Sequence, residues 1–209
     1  GETKFLAATS IATSVMTMII WSFGFLRMGT VGIVAQLFGK SDYREISRTL
    51  LRNFFLALVI GVLIILFKSI IVNFTERFFS ISTETQELIN TYISIRVLSV
   101  PAELVTYILV GFYLGIQKTN ISSLLVITMS TLNIILSSLF VLSLDLNVFG
   151  VDLGTLIASY ITAIIFSLFT YNFIVKKFQI TPTFQKIIVP SKLMKLFSIN
   201  LDIFIGTLL

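Results

Sequence analysis

Five long apolar runs separated by short polar connections confine this chain to a lipid bilayer. They cover roughly Leu6–Leu26, Phe54–Phe67 (extending to about Val72), Ile93–Ile116, Ile121–Leu144 and Val151–Val175. A helix needs about 20 mostly apolar residues to cross the hydrocarbon core. Four runs reach that length, and the second reaches it if Arg52 and Lys68 snorkel from its ends. A sixth run starts near Leu196 and continues to Leu209. With 56% hydrophobic and only 12% charged residues, the chain lacks the polar surface of a soluble domain. The expected fold class is an all-α integral membrane protein, a polytopic helical bundle.

The basic residues orient that bundle. Of fifteen Lys and Arg, ten lie in alternate connections. These are Lys40, Arg44, Arg48 and Arg52 after the first run, Lys118 between the third and fourth, and Lys176, Lys177, Lys186, Lys192 and Lys195 after the fifth. The opposite side holds Lys4, Lys68 and Arg77, near Glu76, Glu84 and Glu87. Positive residues are retained on the cytoplasmic side. The loops near 40–52, 117–120 and 176–195 are therefore expected in the cytoplasm, with residue 1 outside it, in a plasma (inner) membrane. The net charge of +5 is this loop bias, so it points away from nucleic acid as a partner.

The chain has no His and no Cys. That removes histidine acid–base catalysis, thiol chemistry, disulfides and the common zinc sites. Gly39-Lys40-Ser41 lacks the rest of a phosphate-binding loop. The expectation is a protein that is not an enzyme and carries no cofactor. No cleavable signal peptide is evident. The chain starts without Met, four residues before an apolar run, and stops within another. It therefore reads as a piece of a longer membrane protein.

Polar residues within the runs are ordered. Tyr92, Arg96, Ser99, Glu103, Thr106, Val110, Tyr113 and Gln117 follow alternating steps of four and three, and all but Val110 are polar. One face of the third helix thus carries a polar stripe. Ser123, Ser130, Asn133 and Ser137 align on the fourth, and Ser10, Thr13, Ser14 and Thr17 cluster on the first. Small and hydroxylated residues let membrane helices approach closely and exchange hydrogen bonds. Arg96 and Glu103 demand more, because a charge deep in the bilayer is costly unless paired or hydrated. They share a face, roughly 10 Å apart along the axis, with Pro101 between them. Glu103 is expected to face the bundle interior or a water-filled cavity, whereas Arg96 lies near enough to the outer end to snorkel. Arg27 is expected to anchor the cytoplasmic end of the first span. Arg44, Arg48 and Arg52, at steps of four, suggest an interfacial start to the second helix, from near Glu45. The connection Asn73–Asn90 contains a helix-start pattern at Ser82–Gln86.

Several stretches together resemble one family. Phe23-Gly24-Phe25-Leu26-Arg27-Met28-Gly29-Thr30, with Ala35-Gln36 and Gly39, is similar to the segment after the second helix of multidrug and toxic compound extrusion (MATE) transporters, in their DNA-damage-inducible F-like branch. Tyr92, Arg96, Pro101-Ala102, Gly111 and Gly115-Ile116-Gln117 resemble that branch's fourth helix. Asn133-Ile134-Ile135-Leu136, Phe140-Val141, Gly150-Val151 and Gly154-Thr155 resemble the fifth and sixth. Asn200-Leu201-Asp202-Ile203-Phe204-Ile205, with Thr207, looks like the opening of the seventh.

The resemblance implies an incomplete first lobe of a two-lobed, twelve-helix exporter. Residues 1–175 would supply five helices of the N-terminal lobe, 176–195 the cytoplasmic inter-lobe loop (with Pro182 and Pro190), and 196–209 the start of the next lobe. It implies alternating-access export of small amphipathic or cationic compounds, coupled to H+ or Na+, with the rest of the second lobe as a necessary partner. A cation site in the first lobe would draw on Asn133, Thr155 and position 137, where relatives commonly carry Asp and this chain has Ser137. Glu103 is a candidate replacement for that carboxylate, and Arg96 and Gln117 are further candidates for the pathway. Arg27 and Asp202 belong to the lobe motifs, and Gly206 stands where relatives usually have Arg. Two other readings stay open: a lipid-linked saccharide flippase of the same superfamily, and a non-transporting scaffold.

Overall fold

The computed structural model describes residues 2–79, 83–144, 146–182 and Gly206. Among these the chain is helical: α1 (Glu2–Ser22), α2 (Gly24–Gly39), α3 (Tyr43–Leu66), α4 (Lys68–Phe78), α5 (Thr83–Gly115), α6 (Thr119–Leu142) and α7 (Asn147–Phe173), with a π-helical turn over Ile174–Phe178. Five segments are long and apolar enough to span a bilayer: Thr9–Gly39, Tyr43–Leu66, Gln86–Gly115, Thr119–Leu142 and Phe149–Phe178. Residues 183–205, including Asp202 and most of the expected inter-lobe loop, lie outside the described residues.

The first span does not stop at Leu26. Phe23 makes a single tight turn, its N–H reaching the Ile20 carbonyl at 3.1 Å, and α2 then continues to Gly39. Nothing between 24 and 39 breaks a helix, and the sequence stays apolar. The stop is a backbone motif: Ser41 adopts φ 55° while the Asp42 and Ser41 N–H groups return to the Leu37 and Phe38 carbonyls, both at 3.0 Å. Asp42 then accepts the Glu45 N–H at 3.1 Å and caps α3. Arg27, expected at a span end, sits instead within the Thr9–Gly39 helix pair, its guanidinium 6.0 Å over the Tyr107 ring of α5.

The second span is likewise longer than the apolar run. It begins at Tyr43, before the apolar stretch, because Ile46, Ser47, Thr49, Leu50, Arg52 and Asn53 are buried there although four of them are polar. Arg52 does not snorkel. It is 2% exposed, and its Nη1 donates to Glu45 Oε1 at 2.8 Å. Arg44 is exposed and Arg48 half-buried, pairing with Glu45 at 3.6 Å. Each step of four advances about 40° around a helix, so three arginines at that spacing drift from the surface into the core. The 73–90 connection is also mostly helix. It is taken by α4, whose Val72 and Thr75 are buried while Phe74 and Phe78 stack on the exposed side, and by the start of α5.

At the centre, α5 touches α1, α2, α3, α4, α6 and α7. Ile93, Val97, Val100, Leu104, Ile108 and Phe112 are fully buried along it. Its close contacts depend on missing side chains. A Cβ on Gly111 would stand 2.6 Å from the Arg27 carbonyl oxygen, and one on Gly115 would stand 2.7 Å from Val34 Cβ. Across the bundle, Gly61 of α3 leaves room for Pro101, whose Cα would lie 2.7 Å from an added Cβ.

The helix pair α6–α7 rests on α5 mainly through α7. Outward-facing Ile127, Ile134, Ile135 and Leu139 of α6 are exposed, the composition of a lipid-facing surface. Lys176 and Lys177, expected in a loop, fall on the π-helical turn that ends at Gln179 (φ 56°). Phe178 of that turn stacks on Tyr43 at 4.5 Å. The start of α3, just after the connection bearing Lys40, and the end of α7 therefore meet at one end of the bundle.

Candidate functional site

Two polar clusters meet at the first turns of α7. The first lies between α6 and α7. Asn133 Nδ2 donates to Thr155 Oγ1 at 2.8 Å, and Thr155 Oγ1 donates to the Val151 carbonyl at 2.9 Å. The Ser137 hydroxyl lies 3.3 Å from that carbonyl and 3.5 Å from Asn133 Oδ1. Gly154 brings the helices together, since a Cβ there would stand 2.6 Å from the Ser137 backbone nitrogen. The structure thus joins Asn133, Ser137 and Thr155, three residues the sequence singled out. All three are neutral, so the cluster offers dipoles and no fixed charge.

The charges lie in the second cluster, between α1, α5 and α7. Arg96 pairs with Glu103, and Ser99, 0% exposed, sits between them. Arg96 Nη1 reaches Ser99 Oγ at 2.5 Å, and Ser99 Oγ lies 2.7 Å from both Glu103 Oε1 and the Arg96 carbonyl. Helical spacing brings this triad together, because residues three, four and seven apart share a face. The pair is largely enclosed, with side-chain exposures of 15% for Arg96 and 8% for Glu103. Arg96 therefore bonds inward along α5 and does not snorkel to the outer end.

Asp152 completes the cluster, and the sequence reading had not selected it. It is 2% exposed on α7 and lies near Tyr92 and Arg96 of α5. Tyr92 also meets Thr13 Oγ1 of α1 at 2.6 Å. A signal existed: Asp152, Thr155, Ser159 and Thr162 follow steps of three, four and three, a stripe of the kind seen on α5. Ser159 and Thr162 are fully buried.

Other residues of the expected set lie elsewhere. Gln117 is exposed beyond the end of α5 with φ 61°. It serves as that helix's left-handed cap, while the Lys118 N–H closes on the Tyr113 carbonyl at 2.7 Å. Tyr113, at the same end, bonds Thr170 at 2.7 Å and braces α5 on α7. Thr106 is buried but turned onto its own helix, its hydroxyl donating to the Ala102 carbonyl at 3.0 Å. Among the described residues no group of three or more carboxylates forms a metal-binding set.

Membrane-length helices with an interior network of carboxylates, guanidinium and hydroxyls define a multi-pass integral membrane protein whose polar groups face one another across the bundle. The MatE family model matches residues 2–139, and the chain belongs to that family. It is 33% identical over 204 residues to DNA damage-inducible protein F of Escherichia coli strain K12, covering 98% of this chain and 44% of the relative. It is 24% identical over 211 residues to multidrug export protein MepA of Staphylococcus saprophyticus, covering 100% of this chain and 46% of that protein. The chain thus spans about half the length of the curated relatives it matches. The fold matches a crystal structure of a MATE mutant with a TM-score of 0.85 at 22% identity, over 98% of this chain and 46% of that one.

Proposed function

We propose that this chain forms most of one lobe of a secondary active transporter, which exports small amphipathic or cationic compounds in exchange for protons or sodium ions by alternating access. The carrying observation is the enclosed charge network. Arg96, Glu103 and Asp152 lie inside a membrane-spanning bundle, where ionisable groups are costly and mark ion or substrate pathways. Family membership supplies the class of activity. In this reading a cation held in the network favours one packing of the lobe and substrate favours the other, so each displaces the other. The second lobe, beyond the described residues, rocks against this one, and the lipid bilayer encloses both. The basic connections face the cytoplasm and residue 1 faces outward, in the plasma membrane. The protein catalyses no covalent chemistry and needs no cofactor beyond the coupling ion.

The test is flux. The protein at its natural length, reconstituted in vesicles, is expected to move a fluorescent cationic dye when a proton or sodium gradient is imposed, and to stop when an ionophore collapses the gradient. Dye movement indifferent to both gradients would refute ion coupling. Gradient-independent flux of a lipid-linked saccharide would replace the proposal with flipping.

A further inference from the structure

We propose that the end of the bundle where α3 starts and α7 stops binds the headgroup of an anionic phospholipid, through Arg44, Lys176 and Lys177 around the stacked rings of Tyr43 and Phe178. The proposal needs only that the bundle spans a bilayer. It is independent of ion coupling and of the compound exported.

All five spans have a terminus at this end: Gly39, Tyr43, Gly115, Thr119 and Phe178. The short connections carrying Lys40 and Lys118 therefore share one rim with the π-helical turn that carries Lys176 and Lys177. A chain of aromatic contacts ties the rim together. Phe38 of α2 meets Tyr43 edge-on at 6.2 Å, and Tyr43 stacks on Phe178 at 4.5 Å with the rings 17° apart. Phe178 meets Phe173 at 5.6 Å, and Phe173 meets Tyr113 of α5 at 6.1 Å. Arg44 and Lys177 are the chain neighbours of the two stacked rings, so the stack holds their backbones side by side.

The charge on this rim is unmatched. Lys40, Arg44, Lys118, Lys176 and Lys177 are exposed, and among the described residues none of them forms an ion pair. Of the two carboxylates at this end, Glu45 is held by Arg52 and Arg48, and Asp42 caps α3. A guanidinium grips phosphate oxygens as a planar fork, and the lysines add point charges. What leads up to the rim makes the ligand a lipid. Ile164, Leu168 and Tyr171, at steps of four and three along α7, are 56%, 61% and 49% exposed. Lys176 follows about one turn later. This apolar flank gives acyl chains a bed directly beneath the cations, and basic residues beside a span attract anionic headgroups. A free phosphate would meet the same charges and leave the flank unused.

The experiment is native mass spectrometry of the natural-length protein released from detergent micelles, which counts bound lipids directly. Parent and variant, distinguished by mass, compete in one solution for dioleoyl phosphatidylglycerol or dioleoyl phosphatidylcholine. Each cation near an anionic surface is worth about fivefold, so Lys176→Gln with Lys177→Gln is expected to weaken phosphatidylglycerol binding roughly 25-fold. Phosphatidylcholine binding should not change. Lys68→Gln with Arg77→Gln, the same change of charge at the opposite end, should alter neither lipid. Phe178→Ala removes no charge but unstacks Tyr43, and is expected to weaken phosphatidylglycerol binding several-fold. Should Phe178→Ala not fold, the exposed Lys176 and Lys177 still decide the matter. Equal losses in the two charge variants would reduce the effect to net charge and overturn the site. So would undiminished binding in Lys176→Gln with Lys177→Gln, or in a folded Phe178→Ala. Displacement of the lipid by equimolar inorganic phosphate would also overturn it, since the ligand would then be a free anion.

Discussion

Removing Arg96 is expected to damage the protein more than removing the charge of its partner Glu103, although the two form one ion pair. The asymmetry comes from Asp152. In Glu103→Gln the amide keeps an oxygen for Ser99, and Arg96 keeps a second carboxylate nearby. The loss is then one charge-assisted hydrogen bond, about 1.5–3 kcal/mol. In Arg96→Met two carboxylates remain enclosed without a cation, both under a tenth exposed. Leaving a buried charge unpaired costs about 3–5 kcal/mol, and here two are left. Replacing both partners together, Arg96→Met with Glu103→Leu, should recover part of that loss, because only Asp152 then remains to be neutralised. The assay is thermal unfolding of purified variants in detergent, combined as a double-mutant cycle. Equal losses for Glu103→Gln and Arg96→Met would show that Asp152 does not share Arg96, and the three-member network would be wrong.

Gly111→Ala places a methyl group 2.6 Å from the Arg27 carbonyl oxygen. Forcing α2 from α5 should cost about 1–3 kcal/mol, so an unchanged melting temperature would contradict the packing. Gly154→Ala drives a Cβ against the Ser137 backbone and should separate α6 from α7. Cysteines introduced together at Asn133 and Thr155, whose native side chains meet at 2.8 Å, are expected to be joined by a short bifunctional thiol reagent and to lose that cross-link in the Gly154→Ala background, and undiminished yield would count against the contact. Arg52→Leu should destabilise by about 1.5–3 kcal/mol, since it removes the enclosed 2.8 Å charge-assisted hydrogen bond to Glu45, which keeps only the longer pair with Arg48 of these two. Exposed Arg44→Leu should stay within about 0.5 kcal/mol of the parent. Similar losses at the two positions, measured by detergent unfolding, would place Arg52 at the surface.

The flux experiment addresses coupling, whereas these variants address the scaffold that holds it. Glu103 illustrates the difference between the two questions. The sequence marked it as a misplaced charge and hence a candidate to replace the carboxylate absent at 137. The structure gives it a partner: Arg96 pairs with its carboxylate and Ser99 bonds it. Asp152, the other enclosed carboxylate, sits one residue beyond the carbonyl that accepts from Ser137 and Thr155. The neutral cluster expected at the cation site and the charged cluster beside it are thus joined through one turn of α7.

What the sequence determined by itself was whatever depends on neighbours along the chain. Apolar length marked five spans, though not where the first ends or the second begins, and helical periodicity placed Arg96, Ser99 and Glu103 on one face. The Asn133, Ser137 and Thr155 set came from the resemblance, with the first two residues a turn apart on α6. What only the tertiary structure decided was which face meets which. Three arginines at identical spacing run from surface to core as each step of four turns about 40° around α3, and which part of that turn is enclosed depends on the helices packed against it. Arg27 lies within a helix pair because α2 continues and docks its glycine-facing side on α5. Asp152 was hidden among apolar residues near the start of a span, and its importance appears only when the turn of α7 brings it to Tyr92 and Arg96 on a helix about 60 residues earlier in sequence. The physical reason is the same in each case: hydrogen bonding along a helix is local, but the cost of an enclosed charge depends on partners from other helices.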